Sequence, residues 1–171
     1  MTWNEVVKIE PAGSWNDLNL EIAYDASFAP GGDRSRSGVV ISLNGQVVHH
    51  ASNKQSLTSV SSCEAEINAG VMGLKLGLAI RDVVEEASGE GVKLLLVGDN
   101  TAAMRSVMTD VTSWRNRHYA MRAAFARDLI GLEKVDVIHR SGKDLVSDAL
   151  TKVLERQKLT EARSRLGMVT L

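Results

Sequence analysis

Leu18-Asn19-Leu20-Glu21-Ile22-Ala23-Tyr24-Asp25 alternates along its whole length. Leu18, Leu20, Ile22 and Tyr24 fall on one side, and Asn19, Glu21, Ala23 and Asp25 on the other. A period of two predicts a strand, here ending near Asp25. A loop rich in Gly, Arg and Ser follows, from Pro30 to Ser37. Gly38 to Leu43 reads as a short β-branched strand. Asn44-Gly45 is a strong hairpin signal because both residues tolerate positive φ, and Gln46 to about Ser52 pairs back. The first half is therefore expected to be an antiparallel meander.

The second half changes period. Ser61-Ser62-Cys63-Glu64 has the form of a capping box, a serine with a glutamate three residues on, and predicts a helix to about Ala87. Ser88-Gly89-Glu90-Gly91 stops it. Val92 to Gly98 is a continuous apolar run, consistent with a strand buried on both faces. Thr101 to about Thr109 and Arg117 to about Ile130 read as helices, and Lys134 to His139 as a fifth strand. Lys143 to Leu154 is expected to form a last helix. The order βββαβ(αα)βα implies an α/β fold, a mixed five-stranded sheet with helices on both faces. Residues 1–17, with Pro11 and Gly13, read as a lead-in or linker, 18–154 as the domain, and 155–171 as a charged tail of helical character.

The bulk numbers narrow the function classes. No apolar run approaches the roughly 18 to 20 residues of a membrane helix. Met1-Thr2-Trp3-Asn4-Glu5 lacks the basic start and apolar core of a signal peptide. Cys63 is the only cysteine, so an internal disulfide is excluded and a reducing intracellular setting is expected. Net charge is −1, which does not advertise a nucleic-acid binder. Between Arg105 and Lys143, however, eight Lys/Arg face four Asp/Glu. Solvated helix faces would look the same, but a basic flank beside an acidic site also suits a metal nuclease holding a phosphate backbone.

Two strands end in aspartate, the first at Asp25 and the fourth at Asp99. Ligands of open α/β sheets gather outside the carboxyl ends of strands, although aspartate also opens turns and caps helices there. In the long helix, Glu64 and Glu66 cannot share a face, being two residues apart. Glu64 sits at the capping position with Asn68, Lys75 and Asp82 on its side, which places it on a polar face. Glu66 heads a stripe of Gly70, Gly73 and Gly77. A glycine inside a helix costs on the order of 1 kcal/mol relative to alanine, so three in line imply close approach to the sheet. Glu66 would then emerge beside Asp25 and Asp99. Asp148, expected in the last helix, is a fourth candidate; spacing alone leaves it open to an ordinary exposed position.

An ordered series of segments gives these residues a context. Tyr24-Asp25-Ala26 resembles S-D-A-D-W, Arg34-Ser35-Arg36-Ser37-Gly38 resembles R-R-S-T-S-G, and Ser52-Asn53-Lys54-Gln55 resembles S-K-K-Q. Ser61-Ser62-Cys63-Glu64-Ala65-Glu66 is similar to S-S-T-E-A-E, the most specific of the set. Gly98-Asp99-Asn100-Thr101-Ala102-Ala103 resembles C-D-N-x-S-A. Arg115-Asn116-Arg117-His118 with Tyr119-Ala120-Met121-Arg122 resembles R-T-K-H-I-D-I-R, and Ser147-Asp148-Ala149-Leu150-Thr151-Lys152 resembles A-D-I-L-T-K. From about Leu20 to Leu154 the chain thus resembles the ribonuclease H domain of copia-type LTR-retrotransposon Pol polyproteins. Departures are Ser27-Phe28 where an acid and an aromatic are usual, Ile67 for a tyrosine, Asn68 for an apolar residue, and an unusually basic loop before Gly38.

The resemblance implies a ribonuclease H-like fold and hydrolysis of the RNA strand of RNA–DNA hybrids. It implies Asp25, Glu66, Asp99 and Asp148 as ligands of two Mg²⁺ ions, with Mn²⁺ as substitute, Asp25 bridging. Two ions about 3.5–4 Å apart would activate water and stabilise the leaving 3′ oxygen, giving 5′-phosphate ends. His139 is a candidate for proton transfer or product release, with a structural histidine as the alternative. Ser27, Ser62 and Asn100 are candidates for reading 2′-hydroxyls across the minor groove, Arg115, Arg117 and Arg122 are candidates for the DNA-strand phosphates, and His118 for orienting its helix or touching backbone phosphate. The implied partner is the reverse transcriptase domain of the same polyprotein, and the implied location is a cytoplasmic virus-like particle or the nucleus. A non-catalytic hybrid-binding module and an integrase-like or resolvase-like nuclease of the same superfamily are the competing readings.

Overall fold

The computed structural model describes residues 5–7, 17–109 and 117–170. Along them run β1 (Glu5–Val7), β2 (Leu18–Ser27), β3 (Arg36–Leu43), β4 (Gln46–Lys54), α1 (Ser62–Ser88), β5 (Val92–Gly98), α2 (Thr101–Met108), α3 (Arg117–Leu132), β6 (Asp136–His139), α4 (Arg156–Arg165) and β7 (Met168–Thr170). Five strands form one mixed sheet in the order β4-β3-β2-β5-β6. β2–β3 and β3–β4 are antiparallel, whereas β2–β5 and β5–β6 are parallel. The expected meander and crossovers are both present. β2 continues two residues past Asp25 because Ala26 and Ser27 still pair with Ser37 and Arg36.

The alternation in β2 divides the core as its pattern implies. Leu20, Ile22 and Tyr24 belong to the main cluster with Val39, Ile41, Ile67, Leu74, Leu94 and Leu96. Each such side chain removed from water is worth about 1.5–3 kcal/mol. α1 covers this face, with α2 and α3 packed beside it. Ala23, Val97 and Leu145 form a smaller cluster. The Asn44-Gly45 turn takes φ of 47° and 83°, as its residue types allow.

The glycine stripe of α1 does what its spacing implies. A Cβ on Gly73 would stand 2.9 Å from Ile22 Cγ2, one on Gly77 would collide with Ile22 Cδ1, and one on Gly70 would lie 3.4 Å from the Tyr24 ring. At Gly73 and Gly77 helix and sheet approach so closely only because a side chain is missing.

Three expectations need correction. Lys143 to Leu154 is not a helix: the chain makes short 3-10 turns at Gly142–Asp144 and Val146–Leu150. Leu145 is drawn into the core between them, which the even winding of an α-helix would not permit. The lead-in is not wholly irregular, because Glu5–Val7 pairs antiparallel with Met168–Thr170. The C-terminal tail is helical only over Arg156–Arg165, and then becomes that strand. No helix among the described residues is long and apolar enough to cross a membrane.

Candidate metal centre

Parallel pairing of β2 and β5 reaches Ala23↔Val97, and two residues further along come Asp25, still within β2, and Asp99, just past the end of β5. Glu66 arrives from the second turn of α1. Its Oε1 accepts a hydrogen bond from the Ala26 backbone N–H at 3.3 Å, which ties the helix to the end of β2. Ligand oxygens of Asp25, Glu66 and Asp99 all lie within 4.8 Å of one another. Asp25 is only 3% exposed and Glu66 6%.

Burying and crowding three acids has the expected electrostatic consequence. Burial first, then the charges of Asp25 and Asp99, pushes the Glu66 carboxyl up to about 8. Burial likewise raises Asp25, opposed by a hydrogen bond from the Thr151 hydroxyl and by the Lys152 charge. Glu66 Oε2 is buried and has no hydrogen-bond partner among the described residues. A carboxylate oxygen left this way is costly unless a cation or a proton satisfies it. Acid oxygens at this spacing suit a hard divalent cation, which prefers oxygen ligands.

Asp148 lies outside that three-acid set, although its charge adds to the raised Asp25 carboxyl. Its Oδ1 accepts a hydrogen bond from the Lys152 ammonium. The segment that carries it is nevertheless fitted to the site. A Cβ on Gly38, the residue opposite Asp25 in β3, would stand 2.7 Å from the Ser147 carbonyl oxygen. A Cβ on Gly142 would stand 2.5 Å from Asp99 Oδ2. Gly38, Gly142, Thr151 and Lys152 therefore shape the centre, and the sequence reading assigned none of them a role. The signals were Thr151-Lys152 standing within the motif quoted for Asp148 and Gly38 closing the motif that begins at Arg34.

Glu64 caps α1 as its spacing implies, but it is not on a solvated face. Its backbone N–H donates to Ser61 Oγ at 3.1 Å, and its Oε2 accepts from the Val60 N–H at 2.8 Å. The side chain is 7% exposed and its Oε1 lies 3.1 Å from Arg122 Nη1. The Glu64 end of the polar face of α1 is thus covered by α3 and by the loop from Gln55 to Val60, while Lys75 and Asp82 stay exposed. Arg122 bridges α3 to α1 through this pair. Asn100 caps α2 through Ala103 N–H at 2.9 Å. Ser62 is exposed, and Ser27 Oγ is buried without a hydrogen-bond partner among the described residues. His139 is exposed, and its Nε2 lies 3.0 Å from the Asp99 carbonyl oxygen, beside the acids but bonded to backbone. Arg115 lies outside the described residues, as do the side chains of Arg117 and His118.

No protein-family model matches the chain. In sequence it is 29% identical over 156 residues to the Transposon Ty1-LR3 Gag-Pol polyprotein of Saccharomyces cerevisiae, covering 90% of this chain and 9% of that one. The Ty1-ER2 Gag-Pol polyprotein is 26% identical over the same length. The chain thus spans about a tenth of the curated relatives it matches. In structure it is similar to an RNase H1 from the halophilic archaeon Halobacterium salinarum, with a TM-score of 0.58 and 17% identity over 77% of this chain and 93% of that one. It is also similar to LC11-RNase H1 in complex with an RNA/DNA hybrid, with a TM-score of 0.57 and 15% identity over 78% and 93% of the two chains. Sheet order and helix placement give this chain a ribonuclease H-like fold, and its sequence is similar to a segment of the Ty1 Gag-Pol polyproteins, which are of the copia type.

Proposed function

We propose that this domain is a divalent-metal-dependent ribonuclease H that cuts the RNA strand of RNA–DNA hybrids endonucleolytically. The observation that carries the reading is the trio Asp25, Glu66 and Asp99, with its oxygens within 4.8 Å and one Glu66 oxygen buried and unsatisfied. This donor set fits a pair of Mg²⁺ ions, or Mn²⁺ in their place, held by Asp25, Glu66, Asp99 and, once it turns inward, Asp148. When bound, the ions would supply an activated water and charge stabilisation of the scissile phosphate, leaving 5′-phosphate and 3′-hydroxyl ends.

The chain's own groups prepare that site. The Ala26 N–H holds one Glu66 oxygen, and the other is buried with no hydrogen-bond partner among the described residues. The Thr151 hydroxyl fixes the rotamer of Asp25 by donating to Oδ2. Ser27, Ser62 and Asn100 would meet 2′-hydroxyls in the minor groove. Arg115, Arg117, His118 and Arg122 would face backbone phosphates. His139, exposed at the end of β6, would carry a proton to or from the cleaved strand. The similarity to a hybrid-bound RNase H1 and to Gag-Pol polyproteins supports this substrate. A reverse transcriptase domain of the same polyprotein would be the partner, acting in a virus-like particle or the nucleus.

The test is cleavage of matched RNA–DNA hybrid, duplex RNA and duplex DNA with and without Mg²⁺. Mg²⁺-dependent cutting of the hybrid alone is expected. Hybrid binding without cleavage would make the domain a binding module, and cutting of duplex DNA would assign it to another nuclease of the superfamily.

A further inference from the structure

Asp148 is held off the other acids by a residue of its own segment. Lys152 Nζ hydrogen-bonds Asp148 Oδ1, with the lysine side chain about half exposed and the aspartate's 28% exposed. Residues four apart meet by default on an α-helix, but here the chain is a 3-10 turn ending at Leu150. Tertiary placement sets the pair instead. Thr151 anchors the turn on Asp25 through its hydroxyl, and Ser52 Oγ donates to the Leu150 carbonyl at 2.6 Å. Lys152 follows directly on Thr151, so its ammonium is carried by the same short segment that Thr151 ties to Asp25, and it bonds Asp148 from there.

We infer that Lys152 is the centre's own counter-cation: its ammonium stands in for divalent charge in the metal-free protein and holds Asp148 outside the three-acid set until an incoming ion displaces it. The inference rests on the reading of the acids as a metal centre. Metal uptake then competes with an internal ion pair, so the lysine weakens metal binding while protecting the empty cluster from its own repulsion. Lys152 is a positioning residue, acting on the reaction through Asp148.

The test is Mn²⁺ titration by calorimetry, together with melting in EDTA, on the wild type, K152M, K152R, D148N and D148N/K152M, with D25N as the control that removes a ligand. K152M is expected to bind Mn²⁺ about tenfold more tightly, the effect of one opposing charge removed from a partly buried site. It should also melt lower than wild type in EDTA, and K152R should restore both values. In EDTA the losses from D148N and K152M should be strongly non-additive, as for two members of one pair. Mn²⁺ affinity in K152M within about twofold of wild type, or weaker, would overturn the inference while leaving the metal centre standing. A wild type that binds no more Mn²⁺ than D25N would sink the metal reading and this inference with it.

Discussion

Asp25 and Asp99 stand together because each lies two residues beyond Ala23↔Val97, the last parallel register pair between β2 and β5. Sheet pairing alone thus delivers two carboxylates to one edge, before any helix contributes. Removing either should spare the fold, since neither completes the hydrophobic core. D25N is expected to lower hybrid cleavage by about 1000-fold or more, the scale of losing a group the chemistry requires. The same substitution should raise the melting temperature in EDTA, because it removes a buried charge from a crowded set. A D25N protein that melts higher and does not cut is the expected outcome; one that cuts normally is not.

Glu66 ties stability to pH. Its carboxyl is pushed up to about 8 in the fold, above the ordinary 4.5 expected in the unfolded chain. Between those values the folded state keeps a proton that the unfolded state has lost, so stability falls as pH rises through that window. Asp25, also raised, acts in the same direction. Urea melts in EDTA from pH 5 to 9 should show this decline, and both E66Q and added Mn²⁺ should flatten it. Stability rising across the window would contradict the cluster's electrostatics.

The two glutamates of α1 should fail differently. In E64Q the amide oxygen can still accept from Val60 N–H, but the charge facing Arg122 is gone; the expected cost is about 1–3 kcal/mol, typical of a weakened buried charged hydrogen bond. Cleavage should survive at temperatures where the protein stays folded. E66Q should keep the fold and lose cleavage. Paired thermal melts and hybrid assays would expose an exchange of these roles.

Glycine-to-alanine substitutions should change sign with position. At Gly77 the helix gains about 1 kcal/mol in propensity, but the new Cβ collides with Ile22 Cδ1, and overpacking typically costs about 1–3 kcal/mol. Gly77→Ala is therefore expected to destabilise. At Gly131, near the end of α3, nothing lies within 4 Å of the added carbon. Gly131→Ala should stabilise by up to about 1 kcal/mol. Chemical denaturation of the two variants checks both signs at once.

Much of the fold was legible because its signals are local. Val92–Gly98 appears with the bounds its apolar run implies, and Asn44-Gly45 turns where its residues permit positive φ. The glycine stripe indicated a close helix–sheet contact and hence which glutamate reaches the acids. Long-range partners stayed hidden. Asn68, Lys75 and Asp82 placed Glu64 on a polar face but gave no sign of its partner Arg122, 58 positions away. The last expected helix failed for a related reason: Val146, Ala149 and Leu150 mimic helical spacing, while Leu145 is pulled under the sheet by Ala23 and Val97. Strands of three residues such as β1 and β7 are too short to carry a period. Nothing near Lys152 in sequence announces that its charge reaches acids 53 to 127 positions away.

The central claim is that four acids from distant parts of the chain close around divalent ions. A crystal structure soaked in Mn²⁺, with anomalous scattering used to locate the metal, tests it most directly. Two peaks bridged by Asp25, with Glu66, Asp99 and an inward-turned Asp148 as ligands, are expected. No peak among Asp25, Glu66 and Asp99, or manganese bound only elsewhere on the surface, would contradict the account.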